Sequence, residues 1–141
     1  MNHPGRFLCA VTLALAAVGI THAGTPAPEG ARVYFIEPTD GATVKNPVTV
    51  RFGLHGMGVA PAGVERPETG HHHLLIDLDA LPPLDQPIPA DAQHRHFGGG
   101  QTETTLELPP GRHTLQLLLG DAQHIQHQRP VASERITITV E

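Results

Sequence analysis

Two pairs of histidines stand two residues apart in the chain, in the stretches "GHHHLLID" and "HRHFGGG". The first pair is His71 and His73, and the second pair is His94 and His96. In an extended chain, side chains two residues apart share one face and are ~6.5 Å apart along the backbone. Two imidazoles at that spacing are close enough to bind one metal ion. The sequence therefore predicts that both pairs contribute ligands to a metal site.

A third segment, "GDAQHIQHQRP", carries two more histidines close to an acidic residue, Asp121. Imidazole ligands with help from a carboxylate suit Cu(II), Zn(II) or Ni(II), and these donors do not choose among the three. We expect Cu or Zn as the bound ion. His72 points away from its two neighbours in an extended strand, so it is left out of the ligand set. The predicted metal ligands are His71, His73, His94, His96, His124 and His127.

The same histidines allow a second interpretation, in which they are structural or sense pH. Imidazoles at strand ends can form hydrogen bonds with loop backbone groups that no neighbouring strand pairs. His113 directly follows the turn "PPGR" and is predicted to play such a hydrogen-bonding role at a strand start. The residue pattern alone leaves metal binding and structural use both open.

Composition excludes several classes of function. The 11 histidines outnumber the 9 Lys and Arg residues together, and the formal net charge of −5 argues against a nucleic-acid partner. Cys9, the single cysteine, lies in the N-terminal apolar run, so we expect no thiolate nucleophile and no blue-copper site in the mature chain. Ser133 is the only serine, and "VASER" is not a nucleophile elbow. We therefore expect no enzymatic activity, except through a metal-activated water.

The first 23 residues have the pattern of a secretory signal peptide. A basic start, "MNHPGR", precedes the apolar run "FLCAVTLALAAVGI" and the small-residue site "THA". The run is shorter than the ~20 residues that a spanning helix needs, so the chain is expected not to span a membrane. Cleavage after Ala23 would deliver a periplasmic or secreted protein. Residues 24–32 are predicted to be a flexible leader.

The rest of the chain, residues 33–141, predicts one all-β domain. Short apolar runs alternate with Gly, Pro and Asp turns, and no helix of ordinary length is visible. Strand spacing favours an immunoglobulin-like antiparallel β-sandwich of about seven strands. Apolar residues at every second position predict buried faces in three strands: Val48, Val50, Phe52 and Leu54; Leu115, Leu117 and Leu119; and Ile136, Ile138 and Val140.

Antiparallel alternation of these strands also predicts where the histidines meet. Each histidine-bearing segment stands at the start or end of a strand that would reach the same end of the sandwich. The proline-rich segment 79–93 is expected to cross at a sheet edge, because proline cannot donate to a central strand. We therefore expect a His-lined pole at one end of the domain.

Four stretches resemble a known family: "GMGVAPAG", "GHHHLLID", "HRHFGGGQTETTLELPPGRHTLQLLLGDAQHIQH" and "SERITITV". They are similar to the exported bacterial proteins of the domain of unknown function 4399 family, over about residues 33–140. The resemblance implies a β-rich single domain of the cell envelope with no established activity.

Together, the residues predict an exported, non-catalytic cell-envelope domain with a His-lined pole that binds a divalent transition metal ion. The alternative is an envelope interaction module, which would bind a protein or small ligand through the same loops. In that case the histidines would be structural or pH-sensing.

Overall fold

A computed structural model describes residues 23–141, so the predicted signal peptide lies, apart from Ala23, outside the described residues. Within the described range the regular structure consists of nine β-strands, and no helix long and apolar enough to cross a membrane is found there. In chain order the strands are β1 (Arg32–Glu37), β2 (Thr43–Val44), β3 (Val48–His55), β4 (Gly58–Val59), β5 (Thr69–Ile76), β6 (His94–His96), β7 (Glu103–Leu106), β8 (Gly111–Gly120) and β9 (Ile136–Val140).

The strands form two sheets. The smaller sheet has the order β1-β3-β7 and is antiparallel throughout. The larger sheet has the order β2-β9-β8-β5-β4, and β6 also pairs with β5. The predicted all-β sandwich is confirmed. It has nine strands rather than about seven because β2 and β4 are two-residue strands, and both of these pair in parallel, which makes the larger sheet mixed.

The main core fills the space between the two sheets. The predicted apolar faces of β3, β8 and β9 all point into it, with Leu54 only partly buried. Burial of every second residue along these strands is the expected result of strand alternation against one apolar layer. The members of this core are Val33, Val48, Val50, Phe52, Leu74, Ile76, Phe97, Leu106, Leu115, Leu117, Leu119, Val131, Ile136, Ile138 and Val140.

A second, smaller core lies on the outer face of the larger sheet. Leu75 of β5 and Leu118 of β8 pack there against Ile88, which belongs to the proline-rich segment between β5 and β6. That segment was expected at a sheet edge, but it covers a sheet face instead. Its prolines lack the N–H groups that a sheet strand needs for pairing. The apolar surface of Leu75 and Leu118 is instead buried by the segment, and this burial stabilises its position over the sheet face.

The segment before β1 makes specific hydrogen bonds with the loop that follows β8. The backbone N–H of Thr25 donates to the Asp121 carboxylate at 3.1 Å, and the N–H of Gln128 donates to the Thr25 carbonyl at 3.0 Å. Gly24 is buried. Residues 24–28 of the predicted flexible leader are therefore attached to the domain.

Candidate metal centre

Three histidines from two neighbouring strands face one another on the outer face of the larger sheet. His71 and His73 lie two residues apart on β5 and share that face, with ring centroids 4.8 Å apart. The antiparallel pairing of β5 with β6 places His96 directly opposite His73. The His96 ring lies 5.1 Å from the His73 ring and 5.0 Å from the His71 ring.

The geometry of these three rings is close to that of a metal site. One ligand nitrogen from each of His71, His73 and His96 lies within 4.8 Å of the other two. Around a tetrahedral ion with N–metal bonds of ~2.0–2.1 Å, neighbouring nitrogens are about 3.3 Å apart. The three nitrogens therefore need to approach one another by at most ~1.5 Å to share an ion, which side-chain rotation can supply.

His124 joins the group from the loop after β8. Its ring centroid lies 4.7 Å from that of His96, 5.0 Å from that of His71 and 6.3 Å from that of His73. The backbone of His124 is left-handed, with φ of 66°. We name His71, His73, His96 and His124 the histidine cluster.

Two glycines make room for the rings. A Cβ atom on Gly98 would lie 2.4 Å from Cε1 of His96, and a Cβ atom on Gly120 would lie 2.8 Å from Cε1 of His73. Both distances are too short for non-bonded carbon atoms. In the run of three glycines after Phe97, the missing side chain at Gly98 therefore allows the His96 ring to approach the backbone closely.

Burial keeps the inner part of the cluster uncharged. His71 and His73 have no solvent exposure, and their ring nitrogens have no hydrogen-bond partner within the described part of the chain. Burial, reinforced by the neighbouring histidines, lowers the pKa of His71 to about 4 and that of His73 to about 3. The pKa of His96 is lowered as well, first by burial and then by His124. At neutral pH these rings are neutral, which is the form that binds metal.

Asp121 uses its carboxylate to build the loop that carries His124. Its Oδ1 accepts hydrogen bonds from the N–H groups of Gln123 and Ile125, each at 3.0 Å, and its Oδ2 accepts from Thr25. Asp121 is 2% exposed. The carboxylate that the sequence offers as an additional metal ligand is thus engaged by three backbone donors.

The remaining predicted ligands lie elsewhere. His94 stands opposite Leu75, two pairs further along β5, and its Nδ1 contacts the Asp91 carboxylate at 2.9 Å. His127 is buried, and its Nδ1 contacts the Thr25 side chain at 3.0 Å and the Thr25 carbonyl at 3.2 Å. The structure therefore brings together four of the six predicted ligands and separates His94 and His127 from them.

The cluster lies where β5 begins and where β6 and β8 end, and its rings face the outer side of the larger sheet. Its buried members lie inside β5 on a sheet face, and only His124 belongs to a loop. Because β5 pairs with β8 from His71 to Ile76, the histidines near its start are part of the sheet. The proline-rich cover is close by, since a Cβ on Gly120 would also lie 3.2 Å from the Ile88 side chain. Sequence reasoning missed this cover, although isolated apolar residues among prolines were a signal for it.

Two further histidines have separate environments. The His72 ring points into the main core and lies 4.9 Å from the Phe52 ring, as expected for the residue between His71 and His73. His113 contacts the Asp77 carboxylate and the Pro109 carbonyl, each at 2.8 Å, and the hydrogen bond with Asp77 raises its pKa. The prediction of a hydrogen-bonding role for His113 at a strand start is confirmed.

A family model described as "Domain of unknown function (DUF4399)" matches residues 50–141, about two thirds of the chain. The chain belongs to the DUF4399 family. The resemblance seen in the sequence is thereby confirmed. The DUF4399 match starts within β3 and includes the whole histidine cluster, whereas Thr25 and β1 precede it. No curated protein and no solved structure matches the chain.

Proposed function

We propose that this DUF4399 protein is an exported, non-catalytic domain of the cell envelope that binds a divalent transition metal, Cu or Zn. The ligands are His71, His73 and His96, with His124 in the fourth position. The observation that carries the proposal is the meeting of three ligand nitrogens from two paired strands within 4.8 Å. The N-terminal signal-peptide pattern supports export.

The energetics of burial favour a metal over a purely structural role. A buried polar group left without a hydrogen-bond partner costs about 1–3 kcal/mol. His71 and His73 each have two buried ring nitrogens without a hydrogen-bond partner among the described residues. A metal ion would engage one nitrogen of each ring, so binding offsets part of a cost that the folded protein already carries. His72 buries two ring nitrogens without partners as well, so what distinguishes His71 and His73 is that their rings also face those of His96 and His124.

The donor set suits Cu(II) and Zn(II) and favours binding over catalysis. All four candidate ligands are imidazoles, which both ions accept. A catalytic zinc site has three protein ligands and keeps its fourth position for water or substrate. Here the ring centroid of His124 lies 4.7 Å from that of His96 and 5.0 Å from that of His71, so this side chain is the nearest candidate for the fourth position. Occupation of the fourth position by His124 would exclude the water that hydrolysis requires.

Calorimetric titration of tag-free protein with Zn²⁺ and Cu²⁺ tests the proposal. The variant His96→Ala removes a ligand, and His94→Ala is its matched control on the same strand. We expect His96→Ala to weaken binding more than ~100-fold, since the loss of a supporting residue alone costs about 10- to 100-fold. His94→Ala should bind as the unchanged protein does. Equal affinities for all three proteins, or no binding by any, would contradict the proposal and favour the envelope interaction module.

A further inference from the structure

The histidine cluster rests on two kinds of support. His71, His73 and His96 are fixed by the hydrogen bonds of β5 and β6. His124 lies in a loop, where its N–H donates to the Asp121 carbonyl at 2.9 Å and its carbonyl accepts from the Ile88 N–H at 2.7 Å, and its backbone adopts the left-handed conformation that is uncommon outside glycine. Whatever imposes that conformation therefore decides whether the fourth ligand is in place.

The loop around His124 is held by the N-terminal segment. We name residues 24–28 the strap and residues 121–129 the histidine loop. The N–H of Thr25 donates to Oδ2 of Asp121 at 3.1 Å, and the N–H of Gln128 donates to the Thr25 carbonyl at 3.0 Å. The Arg129 side chain donates to the Pro28 carbonyl. The strap thus contacts both ends of the histidine loop.

The fit between strap and loop is tight. A Cβ atom on Gly24 would lie 1.7 Å from the Gln126 carbonyl oxygen, so the strap approaches the loop backbone as closely as glycine allows. Such an approach, together with hydrogen bonds at two points, is a built contact rather than a chance crossing of a terminal segment.

Asp121 connects the strap to His124 through its two carboxylate oxygens. Oδ1 accepts from the N–H groups of Gln123 and Ile125, the two residues that flank His124. Oδ2 accepts from Thr25. A buried carboxylate that accepts several N–H groups is held firmly, because charge-assisted hydrogen bonds are about twice as strong as neutral ones. The strap thus holds one of the two oxygens of the carboxylate that closes the turn at His124.

We propose that the backbone N–H of Thr25, acting through Asp121, makes Thr25 a positioning residue for the fourth metal ligand, and that the strap is therefore part of the metal site. The inference rests on the proposed function. It adds that the affinity for the metal depends on a segment that precedes the region shared with the family. Loss of the Thr25 contact leaves a site of three histidines on the strands.

The variant Thr25→Pro removes the backbone donor, together with the hydroxyl that contacts Nδ1 of His127, without changing the charge near the metal. Thr25 already precedes Pro26, so its backbone is restricted to extended conformations that proline tolerates. Glu29→Pro is the matched control. Glu29 is exposed and occupies the second position of a turn closed by the hydrogen bond from the Ala31 N–H to the Pro28 carbonyl, where proline is favoured.

Zn²⁺ affinity is measured by competition with a chromophoric chelator for the unchanged protein, Thr25→Pro, Glu29→Pro, His124→Ala and the double variant Thr25→Pro/His124→Ala. We expect Thr25→Pro to weaken binding about 10- to 100-fold and Glu29→Pro to have no effect. In the double variant, the Thr25 change should add no more than about twofold to the loss from His124→Ala, because both changes remove one ligand. The visible absorption spectra of Co²⁺ bound to Thr25→Pro and to His124→Ala should resemble each other. Both should differ from the spectrum of Co²⁺ bound to the unchanged protein.

Two outcomes overturn the inference while leaving the proposed function intact. One is an unchanged Zn²⁺ affinity in Thr25→Pro. The other is a double variant in which the affinity losses of Thr25→Pro and His124→Ala multiply. Asp121→Asn provides a second variant should Thr25→Pro fail to fold, since an amide nitrogen at the Oδ2 position would face the Thr25 donor. Its loss should likewise disappear in the His124→Ala background. Failure of the unchanged protein to bind Zn²⁺ would instead overturn the proposed function itself.

Discussion

His73 and His96 stand directly opposite each other in the β5–β6 pair, and their ring centroids are 5.1 Å apart. This cross-strand relationship determines which histidine of the second pair joins the cluster. His94 points to the same side of β6 but lies opposite Leu75, beside the smaller core. A shift of β6 by two residues would place His94 opposite His73 and His96 opposite His71, so the pairing register decides which histidines of the second pair face the cluster.

Gly98→Ala should weaken metal binding with little effect on stability. The new methyl group would lie 2.4 Å from the His96 ring, and the movable side chain rather than the backbone would give way. We expect Zn²⁺ affinity to fall about 10- to 100-fold, as for other changes that misplace a ligand. Calorimetric titration measures the affinity, and urea denaturation measures the stability.

Gly99→Ala is the control for that change. A Cβ atom there would meet only the end of the Gln101 side chain, at 3.1 Å, and that side chain can move away. Its affinity should equal that of the unchanged protein. Equal weakening by both substitutions would mean that loop flexibility, and not room for the His96 ring, controls binding.

His72→Leu should stabilise the protein. His72 is fully buried beside Phe52, and neither of its ring nitrogens has a partner within the described residues. Leucine has a similar volume and no polar atoms, so the free energy of unfolding should rise by about 1–3 kcal/mol at neutral pH. Zn²⁺ affinity should not change, because the ring faces the main core. A destabilised variant would show that the imidazole has an important partner in solution.

The metal-free protein should lose stability as the pH falls below ~6.5. Burial lowers the pKa of His71 and His72 to about 4 and that of His73 to about 3, whereas an unfolded histidine titrates near 6.5. Between these values the unfolded chain binds more protons than the folded one. The free energy of unfolding therefore falls by ~1.4 kcal/mol per pH unit for each such histidine as the pH falls through this window. Above pH ~7 these residues contribute no further change.

Urea denaturation with a chelator, at pH values from about 4.5 to 7, measures this slope. His72→Leu should reduce it, since one of the buried rings with a lowered pKa is removed. Saturating Zn²⁺ should make the slope steeper, because protons and metal compete for the same nitrogens. A free energy of unfolding that stays constant across this window would contradict the buried, neutral state of the rings.

Strand faces could be predicted from the sequence because alternation is a local property. The burial of Val48, Val50 and Phe52 follows from the period of two, and so does the opposite orientation of His72 relative to His71 and His73. The pairing of His71 with His73 in one cluster needed no more than this rule.

The parts of the site that could not be predicted depend on contacts between distant segments. Whether His94 or His96 faces His73 depends on the path of the irregular segment between β5 and β6, for which the sequence has no periodic signal. The same segment places Ile88 over the sheet face. The bond between Thr25 and Asp121 joins residues 96 positions apart. For these reasons the sequence indicated the group of histidines but not the members that meet.

Two short strands, β4 and β6, pair with the same side of β5, and this arrangement affects solubility. β4 pairs with its first residues and β6 with its later ones, so this side of the larger sheet ends in strands of two and three residues. At the opposite side the sheet ends in β2, again with two residues. An incoming chain adds to a sheet by pairing with a long row of free N–H and C=O groups, and strands this short offer only fragments of such a row. The short edge strands thereby disfavour edge-to-edge aggregation of the sheet that carries the histidines.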